Sequence, residues 1–261
     1  MPGHRMYRLF LFVVTLFIAT PARAEKVKVV GTHFNKIFET DAAGAFHGVA
    51  VDLLKKVAAK KNLQIEYAIY PWNRAQYLIS TGRADILIGP YRTPEREKQM
   101  DFASTPFYTD HMVFYTTKDK PFAWNESLDL LKTKRILTIK GWVYGIKFDE
   151  IKDKLTIVEA NDIETAFRML ALGRADLLLA NERNAEDALE QKENKDHFIK
   201  TKKPFSFMQG YFAFSLKYKN DSVKKAIQES LSQLSYEGII KKINKDYKLS
   251  FEPRVSIVPN Y

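Results

Sequence analysis

With 261 residues, 46% of them hydrophobic, the chain is long enough to bury one large core or two smaller ones. It has no cysteine, which excludes disulfides, thiol catalysis and cysteine-ligated metal and leaves packing to hold the fold together. The formal charge is +10, yet most lysines sit in mixed tracts such as 190–203 and 241–248, the pattern of solvated helix faces and not of a nucleic-acid surface.

Arg5 and Arg8 precede an apolar run over 9–19, and Ala22-Arg23-Ala24 places small residues where a signal peptidase reads. This predicts a secretory leader over 1–24, cleaved near Ala24, and a periplasmic product of 237 residues and charge +7. The run is too short for a comfortable membrane span, and no later stretch is long and apolar enough.

Residues 26–30 read as a first strand that ends at Gly31 in a loop through Phe38 to Phe46, and loops after parallel strands are where ligands sit. Val51, Leu54, Val57 and Ala58 share one face of a helix over 48–63, with Lys55, Lys56, Lys60 and Lys61 outside. A second strand spans 65–69, and Pro71 opens the next helix. Trp72 and Arg74 fall in its first turn, where the helix dipole disfavours a cation; a Trp there is more often a core or domain-edge residue than a ligand platform.

Ile86, Leu87 and Ile88 form a buried strand stopped by Gly89 and Pro90. Strand, helix, strand, helix, strand in succession predicts an α/β layer with a parallel sheet. Thr93 then suits an N-cap, Pro94 the first helical position and Arg96 the third, where a capping box wants Glu or Gln. Arg96 is a poor local choice there unless it serves an anion, which guanidinium holds through two parallel hydrogen bonds. A surface pair with Asp101 or Glu97 explains it equally well.

Ninety-one residues on, the pattern returns. An amphipathic helix over 163–172 precedes Gly173-Arg174-Ala175-Asp176, which repeats Gly82-Arg83-Ala84-Asp85, and Leu177 to Leu179 repeats the buried strand. Two lobes of similar construction follow from this. Residues 112–117 and 205–216 are strand-like, 135–139 is the first strand of the second lobe, and the turn at 140–145 offers backbone N–H groups to an anion. Trp142 and Tyr144 there line either a cleft or the lobe surface. Ala180-Asn181-Glu182-Arg183 puts polar side chains at the carboxyl end of a buried strand, where α/β sheets hold ligands. The helices over 221–247 have no strand partners of their own, so they return to the first lobe, and the second is an insertion joined by two crossing segments.

Taken in order, Gly48 with Asp52, the two Gly-Arg-Ala-Asp copies, Thr93 to Arg96, Asp101 to Tyr108 and the ending with Gly238 resemble the periplasmic solute-binding proteins of family 3, the polar amino-acid uptake type. The resemblance covers essentially the whole chain after the leader. It implies an α/β fold of the two-lobed periplasmic binding protein (type II) kind, with lobe one over 25–112 and 212–261 and lobe two over 113–211. It further implies a monomer that captures a small carboxylate ligand by hinge closure and passes it to an inner-membrane ABC permease or a membrane receptor, without enzymatic activity, cofactor or metal. Arg96 matches the arginine that grips the ligand carboxylate, Gly89 and Tyr91 match lobe-one contacts, and Trp142 and Val143 match the lobe-two turn. Thr93, Trp72, Arg74, Phe38, Tyr144 and Glu182 complete the expected ligand-binding set. Asn181 departs from the family, whose aspartate at this position pairs with the ligand's ammonium group. The Pro71-Trp72-Asn73-Arg74-Ala75 stretch also looks like a divergent branch. The same fold resembles periplasmic cyclohexadienyl dehydratases, for which Glu182 is the candidate general acid, with Glu39 or His111 behind it.

Overall fold

The computed structural model describes residues 24–190 and 195–252; the expected leader lies outside them apart from Ala24. In chain order the elements are β1 (Glu25–Gly31), a small hairpin of β2 (Glu39–Thr40) and β3 (Phe46–His47), α1 (Val49–Lys61), β4 (Leu63–Ile69), α2 (Trp72–Ser80), β5 (Ile86–Tyr91), α3 (Pro94–Glu97), β6 (Met100–Phe102) and β7 (Tyr108–Thr117). There follow β8 (Arg135–Ile139), α4 (Ile146–Asp149), β9 (Thr156–Ala160), α5 (Ile163–Ala171), β10 (Leu177–Asn181), α6 (Glu182–Glu190), β11 (Phe198–Lys200), β12 (Ser206–Ser215), α7 (Asp221–Tyr236) and α8 (Ile239–Asp246).

One curled sheet runs β4-β1-β5-β12-β7-β10-β8-β9, with β6 on β12 and β11 on β7. Its two ends are parallel: β4, β1 and β5 at one, β10, β8 and β9 at the other. Between them β12 and β7 run antiparallel to each other and to their outer neighbours. These ten-residue strands are the two crossing segments, and the chain is a two-lobed α/β protein.

Each lobe has its own core. Val29, Leu53, Ile88, Phe107, Phe212 and Ile240 belong to the first, and α7 and α8 close it by packing on α1. Leu137, Phe167 and Leu178 centre one side of the second lobe, and Phe114, Ile136 and Phe205 the other. At about 1.5–3 kcal/mol for each large apolar side chain removed from water, these clusters dominate the stability. Polar bonds place the last helix. Buried Asn244 donates to the Phe107 carbonyl at 2.8 Å, and the Tyr247 hydroxyl donates to Asp52 at 2.9 Å while accepting from the Gly48 N–H at 3.1 Å.

The two Gly-Arg-Ala-Asp copies do the same work. Gly82 and Gly173, both at positive φ, end α2 and α5 in a left-handed turn. Their N–H groups bond back three residues and those of Arg83 and Arg174 five, at 2.9–3.1 Å. Asp85 then accepts from the Lys28 N–H at 2.7 Å, and Asp176 from the Arg135 N–H at 2.8 Å. Each aspartate thus registers the central strand of its lobe against the first.

Three expectations need adjusting. Pro71 is the cap residue before α2 and not its first turn, and α2 ends at Ser80. The helix carrying Arg96 is a single turn of four residues, too short for a large dipole. Strand β9 escapes the pattern because it is the sheet's edge, half-exposed along most of its length and without the apolar run of a central strand.

At the crossing, Tyr108 of β7 pairs with Gly210 of β12, and its ring occupies the space where a side chain at 210 would stand: a Cβ there would lie 1.8 Å from Tyr108 Cε1. Gly210→Ala therefore forces the ring off its site and breaks the 2.7 Å bond from the Tyr108 hydroxyl to the Gly89 carbonyl. The expected cost is about 2 kcal/mol or more, a fall in the thermal midpoint of roughly 4–8 °C by calorimetry.

Candidate functional site

Arg96 is half-buried at the third position of α3, below the N-cap bond in which the Thr93 hydroxyl accepts from the Arg96 N–H at 3.3 Å. Its guanidinium donates to the Tyr91 carbonyl at 3.0 Å and lies 5.5 Å from the Trp72 ring centre. Neither surface acid takes it: Glu97 pairs with Arg92 and Asp101 with Lys224. Among the described residues Arg96 has no ion-pair partner, and burial draws its pKa below the ordinary value. A desolvated cation with uncommitted donors has the chemistry to hold an anion.

The wall around it is aromatic. Trp72 stands 5.8 Å from Phe34, and the Phe34 ring lies over Gly89, where an added Cβ would sit 3.0 Å from it. Gly89 is at φ +84°, so both its conformation and the covering ring require glycine.

Phe34 also meets a guanidinium from the other lobe. Arg183, at the second position of α6, lies 5.8 Å from the Phe34 ring centre and 5.6 Å from that of Tyr108. It grips Asp110 of β7 through two bonds of 3.0 and 2.9 Å, both side chains being buried. Burial alone would lower the Arg183 pKa; the Asp110 carboxylate overcomes this and holds it above the ordinary value. Arg183 also donates to the Asn35 carbonyl at 3.0 Å, and the Asn35 amide donates to Asp187 at 2.6 Å, so two bonds link the first loop to α6.

Asp110 accepts a further bond from the Tyr91 hydroxyl at 2.6 Å, and that hydroxyl accepts from the Asn181 amide at 2.7 Å. The other end of the Asn181 side chain accepts from the Asn184 N–H at 3.1 Å, the N-cap bond of α6. Burial, then the neighbouring Asp110 charge, pushes the Tyr91 pKa well up, so its hydroxyl stays a donor.

Of the expected contacts, Arg96, Thr93, Trp72, Gly89, Tyr91 and Asn181 thus belong to one connected neighbourhood. Others stand apart. Phe38 is wholly inside the lobe-one core, stacked on Phe46 at 5.5 Å. Tyr144 is buried, its hydroxyl accepting from the Ile139 N–H at 2.6 Å; with Trp142 it borders a lobe-two cavity of about 500 Å³. Val143 packs half-buried on the lobe-two core. Arg74 is exposed and covers Tyr77 at 5.2 Å. Glu182 turns the other way, to Lys200 and, at 3.2 Å, to His111. The His111 hydrogen bond, and then Lys200, outweigh burial and draw its pKa down to about 2, which favours the carboxylate form. Glu39 lies by His33 and His47 at 3.7 and 3.5 Å.

Phe34 and Asp110 lie outside the expected ligand-binding set, as does Arg183, which the sequence places only in the polar stretch 180–183. Asp110 is a lone acid in an apolar strand, and Arg183 is a cation in a helix's first turn, the same signal that marked Arg96.

A sequence profile of the bacterial extracellular solute-binding proteins, family 3, matches residues 27–250. The chain is 23% identical over 214 residues to the amino-acid-binding protein AabA of Dichelobacter nodosus, covering 79% of this chain and 81% of that one. Among solved structures, a histidine kinase sensor domain with similarity to periplasmic binding proteins superposes with a TM-score of 0.71 at 17% identity, over 88% of this chain and 99% of that one. An ancestral arginine-binding protein bound to arginine superposes at 0.67 with 22% identity, over 86% and 99%. The chain belongs to the family 3 solute-binding proteins.

Two outcomes follow from the site's charges. Arg183→Met strands the Asp110 carboxylate and lowers stability by about 3–5 kcal/mol in urea unfolding, and adding Asp110→Asn restores part of that loss. Because Glu182 is held at about 2 instead of 4.5, it stabilises the fold above pH 4.5 and loses that contribution as pH falls towards 2. Glu182→Gln should unfold less steeply with acid than the parent between those values; an unchanged slope would show that the pair contributes nothing.

Proposed function

We propose that this chain captures a small carboxylate-bearing solute, an amino acid or a relative of one, between its lobes and delivers it to an inner-membrane ABC permease. The observation that carries this is Arg96: half-buried, stacked on Trp72 and without an acid partner among the described residues. Family membership supports the solute-binding role, and the relatives' names support an amino-acid-like ligand. The lobes would comprise residues 25–112 with 212–261, and 113–211, closing about β7 and β12 once residues 1–24 have directed export to the periplasm. A dehydratase-like reaction has weaker support, since Glu182 is committed to Lys200 and His111.

Binding would come from one charge-assisted clamp in a partly apolar cleft. Arg96→Lys keeps the charge but loses the two-pronged grip, so the ligand identified by thermal-shift screening should bind about 10- to 100-fold more weakly by calorimetry. Unchanged affinity would remove Arg96 from the site.

A further inference from the structure

We infer that the cleft selects a small carboxylate with an apolar body and no ammonium group, a refinement that rests on the function proposed above. The acids around the Arg96–Trp72–Phe34 wall are already engaged within the protein. Asp110 is 3% exposed and receives two bonds from Arg183 and one from Tyr91. Glu182 faces Lys200 and His111, and Glu97 faces Arg92. Asn181, at the strand end opposite Tyr91, is an uncharged amide whose oxygen caps α6 and whose nitrogen serves Tyr91.

Within this set the charges of Arg183 and Asp110 cancel and that of Arg96 does not; Asp187, further along α6, keeps a negative charge beside the neutral Asn35 amide. A carboxylate ligand neutralises Arg96. An α-amino acid also brings an ammonium group, which would be dehydrated near one guanidinium and within reach of no uncommitted carboxylate in this set, a cost its amine-free counterpart does not bear. The Trp72 and Phe34 rings beside the clamp are apolar surfaces of the kind an apolar ligand body packs against. Asp187 is the one interlobe acid whose described partner is neutral, the Asn35 amide, and it is therefore the residue through which an ammonium group would have to be read.

The test is titration calorimetry on the purified protein, dialysed free of carried-over solute, with matched pairs that differ only in the α-ammonium group. 3-Phenylpropionate against phenylalanine, 4-methylpentanoate against leucine, and glutarate against glutamate cover aromatic, branched and dicarboxylic skeletons. The amine-free member of the best pair should bind at least tenfold more tightly, and Arg96→Met should abolish that binding. If the amino acid binds equally or better, still requiring Arg96, the selectivity is wrong while carboxylate capture stands, and Asp187→Asn then shows whether Asp187 reads the ammonium group. If no pair binds, or binding ignores Arg96, carboxylate capture fails and the selectivity fails with it.

Discussion

Asp110 is the group on which the arrangement between the lobes depends. A carboxylate that is 3% exposed persists only if its oxygens are satisfied, and its donors come from separate elements: Arg183 from α6 and Tyr91 from β5. Since Asp110 itself stands on β7, one charge fixes three elements relative to each other. A well-packed apolar replacement of such a pair can be equally stable. What the ion pair supplies here is direction: Arg183 is aimed so that its Nη1 donates to the Asn35 carbonyl of the first loop and to the Asn184 side-chain oxygen.

The same network settles residue 181. Tyr91 gives its only proton to Asp110 and must therefore receive one from its next neighbour, while the first turn of α6 needs an acceptor. An amide does both at once. An aspartate would cap the helix equally well but could not donate to Tyr91, and it would bring a second negative charge towards Asp110. The neutral amide at 181 thus fits the network that Arg183 and Asp110 set up, and the three positions form one unit.

Much of the fold was legible because it rests on local rules. The repeated Gly-Arg-Ala-Asp works through glycines at positive φ and aspartates that bond a neighbouring strand, both visible as residue types at fixed spacing. The edge strand β9 was not legible, having no apolar run, and neither was the burial of Phe38 and Tyr144, since aromatic residues near a strand end occur in cores and clefts alike. For the site, Arg96 and Tyr91 could be picked out, whereas the Asp110–Arg183 pair spans 73 residues and only the third dimension joins it.

Arg96 and Arg183 show how far a local rule reaches. Both are cations in the first turn of a helix: in the nine-residue α6 the dipole disfavours Arg183, while in the single turn of α3 Arg96 departs from the Glu or Gln that a capping box takes at that position. The rule is silent on where the compensating charge comes from, and the two lobes answer differently. In lobe two, α6 starts directly after β10, so Arg183 stays near the crossing strands and meets Asp110. In lobe one, Arg92 and Thr93 separate β5 from α3, and Arg96 lies against Trp72 instead. Two lobes of like construction therefore use their first-turn arginines differently: Arg183 is held in a neutral network that spans both lobes, while Arg96 has no acid partner among the described residues.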